Sequence, residues 1–65
     1  MSDHAQVVVE LRPAVAGPPT TYEVAGTYVE IVRLIESARN LARLPLRAGG
    51  EVAVNPRYVD RVWMR

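Results

Sequence analysis

The sequence predicts an α+β domain in the order β-β-α-β-β-β, with one amphipathic helix packed on one face of a small antiparallel sheet. Three observations lead to this class. Residues 27–40 are the only convincing helix, with apolar residues at helical spacing. Short, valine-rich segments with alternating apolar and polar residues lie on both sides of it, as is typical of strands. Turn-forming residues separate these segments, above all the Gly49-Gly50 pair.

The first two strands are predicted before the helix. Residues 6–12 alternate, with Val7, Val9 and Leu11 on one face, and the proline that follows ends the strand. Residues 13–19 contain three prolines and a glycine, and we expect a proline-rich loop there. A second strand follows over residues 20–25, and residues 1–5 are expected to form a flexible tail.

The helix is predicted from its start signal and its apolar face. Thr27 and Glu30 have the spacing of a capping box, in which each side chain accepts a hydrogen bond from the other's backbone. Asn40 is expected to leave the helix in the left-handed conformation. Val29 projects toward the polar side and is expected to be exposed. The apolar face comprises Tyr28, Ile31, Val32, Ile35 and Ala38.

A hairpin is predicted after the helix. Residues 41–48 alternate, with Leu44, Leu46 and Ala48 facing inward, and Pro45 restricts this strand to an edge or a strand entry. Gly49-Gly50 supplies a two-residue turn, because glycine tolerates positive φ. Residues 51–54 form the return strand.

The last segment allows two interpretations. Asn55-Pro56 is a turn or a helix start. We expect one helical turn over residues 56–59 and then a strand over residues 60–64, because valine, tyrosine and tryptophan favour strands. The alternative is a short helix with its arginines on the outer face.

The composition indicates one small domain without catalytic machinery. The 65 residues include no cysteine and one histidine, His4, so neither a disulfide nor a metal site is expected. The chain is 49% hydrophobic, which argues against disorder. No paired carboxylates, nucleophile–base pair or phosphate-binding loop is present, so we expect no enzyme activity and no cofactor. Neither a signal peptide nor a membrane-spanning run is present, so a cytoplasmic protein is expected.

The charge is unevenly distributed along the chain. The first 38 residues carry two arginines and five acids, and the last 27 carry six arginines and two acids. Such asymmetry suggests an anionic partner or head-to-tail association, unless the two halves interleave in the fold. A nucleic-acid-binding regulator is therefore one hypothesis. Its candidate contacts are Arg39, Arg43, Arg47, Arg57, Arg61 and Arg65.

The main hypothesis is a small non-catalytic interaction or accessory protein. A domain this small without disulfide or metal often self-associates or binds a protein partner. We expect an exposed edge, at the first or the last strand, or an exposed apolar surface to make that contact. All eight basic residues are arginine, which suggests a GC-rich bacterium or one of its phages as the source. The candidate interface residues are Val8, Val29, Tyr58 and Trp63.

Overall fold

The computed structural model describes residues 6–13 and 15–65. Its elements confirm the predicted α+β class and element order. A single 3-10 turn, Pro56–Tyr58, precedes the last strand. The elements are β1 (Val7–Leu11), β2 (Thr20–Val24), α1 (Tyr28–Ser37), β3 (Ala42–Pro45), β4 (Glu51–Val54) and β5 (Val59–Met64).

The strands form two small antiparallel sheets that meet at one point. The first has the order β2-β1-β5, and the second is the β3–β4 hairpin. They meet where Val24 pairs with Leu46, next to a 2.8 Å hydrogen bond from the Ala25 N–H to the Pro45 oxygen. The single sheet that we predicted is therefore divided. Pairing stops here because the chain turns away at Gly26, whose φ is 124°, and enters α1.

The two sheets and the helix share one aliphatic core. α1 packs against β3 and β5, and Ile31 is its one fully buried residue. Within the described ranges, no polar or charged side chain is buried. Burial of these aliphatic side chains is therefore the main source of stability. The core cluster consists of Val7, Val9, Val24, Ile31, Ala42, Leu44 and Val54.

The helix begins as predicted and ends earlier. The Glu30 N–H donates to Thr27 Oγ1 at 3.1 Å, and the Thr27 N–H donates to Glu30 Oε1 at 2.9 Å, which completes the capping box. α1 ends at Ser37, and Ala38 is already extended. The left-handed exit predicted at Asn40 is wrong, since no non-glycine residue in the described ranges has positive φ. In the last turn, the Ser37 hydroxyl donates a hydrogen bond to the Arg33 carbonyl oxygen at 2.7 Å.

The hairpin is confirmed, but its loop is longer than predicted. Leu44 is fully buried, whereas Ala48 lies exposed in the loop, so its predicted inward position is wrong. Pairing between the strands ends at Pro45 opposite Glu51. Beyond it, a 3.0 Å hydrogen bond from the Leu46 N–H to the Gly50 oxygen closes the loop. Leu46 instead forms an isolated antiparallel bridge with Val24 on β2.

The C-terminal segment follows the favoured interpretation, with a 3-10 turn and then β5. Asn55 Oδ1 accepts from the Arg57 N–H at 3.0 Å and caps the turn. β5 lies at the edge of its sheet, as predicted for the last strand. The prediction of an exposed edge at the first strand is wrong, because β1 lies between β2 and β5. Its three consecutive valines are all buried.

Candidate interaction surface on the terminal strand

The free edge of β5 is the candidate site. Within the described ranges β5 pairs only with β1. At one end the Arg65 N–H donates to the Gln6 oxygen at 2.8 Å, and at the other the Arg12 N–H donates to the Tyr58 oxygen at 2.7 Å. Backbone groups alternate in direction along a strand. Trp63 therefore directs its N–H and C=O toward β1, while Val62 and Met64 direct theirs away from the sheet.

The outer face of the three-stranded sheet lies opposite the core. Val8, at its centre, pairs with Glu23 on β2 and with Trp63 on β5. Although Val8 does not belong to the core cluster, it is 0% exposed. Its neighbours on this face are large enough to cover a valine. Val8, a candidate interface residue, therefore offers no surface to a partner.

Arg61 is held in place between a carboxylate and an aromatic ring. Its Nε lies 2.9 Å from Glu10 Oε1, and its guanidinium carbon lies 4.4 Å from the centre of the Trp63 ring. The Glu10 side chain is only 14% exposed, whereas that of Arg61 is 68% exposed. The arginine therefore neutralises a largely covered carboxylate and lies over one face of the indole, a cation–π arrangement.

A second ion pair lies nearby on the same outer face. Arg65 Nη1 donates to Glu23 Oε2 at 3.0 Å, and the Arg47 N–H donates to the Glu23 carbonyl oxygen at 3.0 Å. In the orientation of the Gln6 amide that satisfies both neighbours, its nitrogen donates to the Glu23 carboxylate and its oxygen accepts from the Arg47 guanidinium. The outer face is therefore a layer of alternating charges around Trp63.

The six candidate arginines do not form one stripe. Arg61, Arg65 and Arg47 share the outer face, as described above. Arg43 lies on β3, with its Nε 4.0 Å from Glu51. Arg57 lies in the 3-10 turn and Arg39 lies between α1 and β3, so neither lies on a strand of that sheet.

The other candidate interface residues have exposed surface. Val29 and Tyr58 are exposed, and Trp63 is half-buried beneath Arg61. Sequence reasoning missed Met64, which is 54% exposed at the end of β5. It also missed the two glutamates that pair with Arg61 and Arg65. Had the first and last predicted strands been aligned as an antiparallel pair, with their apolar residues on the same face, Glu10 would have lain opposite Arg61.

An open apolar groove between α1 and β3 is a second surface feature. It has a volume of about 470 Å³, and Ile31, Leu34 and Pro45 lie along it, with Glu30 and Arg33 at its polar margin. Leu34 is partly exposed there.

Comparisons with known proteins assign no role to these residues. The chain matches no family model. No significant match is found among curated proteins or among solved structures. In the part of the chain that the structure describes, no three histidine, cysteine or acidic residues are grouped as metal ligands. No helix there is both long and apolar enough to cross a membrane.

Proposed function

We propose that the protein is a non-catalytic interaction protein that binds another polypeptide by strand addition at the free edge of β5. The observation that carries this proposal is the outward direction of the backbone groups of Val62 and Met64. An exposed strand edge is a template for an added strand, whose main-chain hydrogen bonds supply affinity. The exposed Met64 and half-buried Trp63 side chains supply apolar contact beside those bonds.

β5 is better suited to strand addition than β4, which is also an edge strand. β5 has six residues and contains neither proline nor lysine, which commonly protect edges. An irregularity in its pairing with β1 lies between Glu10 and Leu11, opposite the first half of β5, and leaves the apolar second half regular. β4 has four residues, two fewer than β5, so it offers a shorter edge to an added strand.

The charge layout supports a polypeptide partner over nucleic acid. Arg61 and Arg65 already bond to glutamates at 2.9 and 3.0 Å. Phosphate contacts would compete with these pairs, and the remaining candidate arginines are dispersed. Nucleic-acid binding therefore remains the alternative proposal, with retention on DNA that falls steeply as salt is raised.

Met64→Pro is expected to abolish strand addition while the domain stays folded. Proline removes the Met64 N–H, which points away from β1, and leaves the bonds to β1 intact. Trp63 before it is already extended, as a residue preceding proline prefers. The matched control is Met64→Ala, which removes the same side chain and keeps the N–H. Affinity capture of polypeptides from a lysate, with and without nuclease treatment, is the measurement, with circular dichroism to confirm folding.

The proposal requires that polypeptides held by the wild type are retained by Met64→Ala and lost by Met64→Pro. Equal retention by both variants would contradict strand addition at this edge. Capture that disappears only after nuclease treatment would favour the nucleic-acid alternative.

A further inference from the structure

The geometry of β5 limits how a second β5 could pair with it. In an antiparallel pair, two opposite residues exchange backbone hydrogen bonds only if the N–H and C=O groups of both point toward the other strand. Val62 and Met64 are outward-directed, so only every second register is open. Two of these registers pair five of the six strand residues, and they are centred on Arg61 or on Val62. A third register, centred on Trp63, pairs residues 62–64 and can continue to Arg65, which follows the strand.

Charge distinguishes the three registers. With Arg61 opposite the partner's Arg61, two like charges lie across the ladder, which destabilises the pair. With Trp63 opposite the partner's Trp63, Arg61 faces the partner's Arg65, again a like-charge pair. With Val62 opposite the partner's Val62, Arg61 faces the partner's Trp63. Only this register has a favourable pair at the arginine.

The favoured register extends an interaction that the chain already makes. Arg61 lies over its own Trp63 at 4.4 Å and is neutralised by Glu10 at 2.9 Å. In the pair of β5 strands, Arg61 also lies directly opposite the indole of the partner's Trp63, within reach of a second cation–π contact. A two-fold axis repeats each such contact. The charge of Arg61 stays balanced, because Glu10 lies on the side away from the partner.

We infer that β5 pairs with β5 of a second copy of this chain, antiparallel about a two-fold axis, with Val62 opposite the partner's Val62. This inference rests on the proposed function and names its partner. It makes the two three-stranded sheets one continuous six-stranded sheet, with two arginines and two tryptophans clustered on its outer face.

Disulfide cross-linking tests the register. The chain has no cysteine, so introduced thiols are the only ones present. Arg61→Cys and Trp63→Cys are prepared separately and then mixed with each other in the presence of oxidised glutathione. Forming the disulfide removes two electrons and two protons from the two thiols, and these reduce the oxidised glutathione to two molecules of the thiol form. In the mixed pair the two cysteines lie opposite each other, and the second arginine–tryptophan contact survives. We expect covalent dimer to form at least about tenfold faster in the mixture than with either variant alone, because pairing raises the local thiol concentration to about millimolar.

Each other outcome overturns the inference in a distinguishable way. Cross-linking of Trp63→Cys alone, or of Arg61→Cys alone, would assign a shifted register. Wild-type chain that sediments as a monomer at all concentrations would exclude the second copy. In that case, loss of another captured polypeptide on Met64→Pro, but not on Met64→Ala, would leave strand addition standing. Equal capture by both would remove the proposed function as well.

Discussion

Replacing Leu44 with alanine is expected to remove about half of the stability of the domain. Leu44 is 0% exposed and lies in the shared core. Truncating a buried leucine destabilises proteins by about 2–5 kcal/mol. A chain of 65 residues is expected to have a free energy of unfolding of only about 3–10 kcal/mol. Urea denaturation followed by circular dichroism measures the loss.

Leu41→Ala is the matched control for this prediction. Leu41 lies just before β3 and is 59% exposed, so the same truncation leaves no cavity. Its effect on the free energy of unfolding is expected to stay within about 0.5 kcal/mol. Equal losses for the two variants would contradict the assignment of Leu44 to the core.

Gly26→Ala is expected to have the second largest effect on stability. Gly26 has a φ of 124°, a backbone region that residues with a Cβ rarely adopt. An added Cβ would also lie 3.2 Å from Glu30 Oε1, the oxygen that accepts from the Thr27 N–H. Backbone strain of about 1–3 kcal/mol and a weakened cap of about 1 kcal/mol together give a loss of about 2–4 kcal/mol. Thermal and urea unfolding measure it.

Thr27→Ala separates the two causes. It removes the cap alone and is expected to lower the free energy of unfolding by about 1 kcal/mol. If backbone strain dominates at Gly26, the double variant loses close to the sum of both effects. A smaller loss for Gly26→Ala than for Thr27→Ala would show that the turn into α1 does not depend on glycine.

Features encoded by neighbouring residues could be predicted from the sequence. The start of α1 depends on Thr27 and Glu30, three residues apart, and both hydrogen bonds of the capping box form. The turn at Asn55-Pro56 is equally local. The end of α1 is different, because it depends on where the chain must turn to begin β3, and Asn40 does not carry that information.

The position of each strand in its sheet depends on distant residues. The first and last strands looked equally able to form an edge, yet β1 became central by pairing on both sides. The run Val7-Val8-Val9 was a usable signal, since continuous apolar residues are typical of a strand buried on both faces. No local signal in the arginine-rich half identified the partners of Arg61 and Arg65, because these glutamates lie 51 and 42 residues away.

Residue-resolved amide hydrogen exchange across a concentration series tests the self-pairing edge most directly. In the monomer the Val62 and Met64 amides face away from β1, while those of Trp63 and Arg65 bond to it. We predict that exchange at Val62 and Met64 slows as concentration rises, and that exchange at Trp63 and Arg65 changes far less. Val62 and Met64 amides that exchange at one rate at every concentration, in samples that sediment as dimers, would contradict pairing through β5.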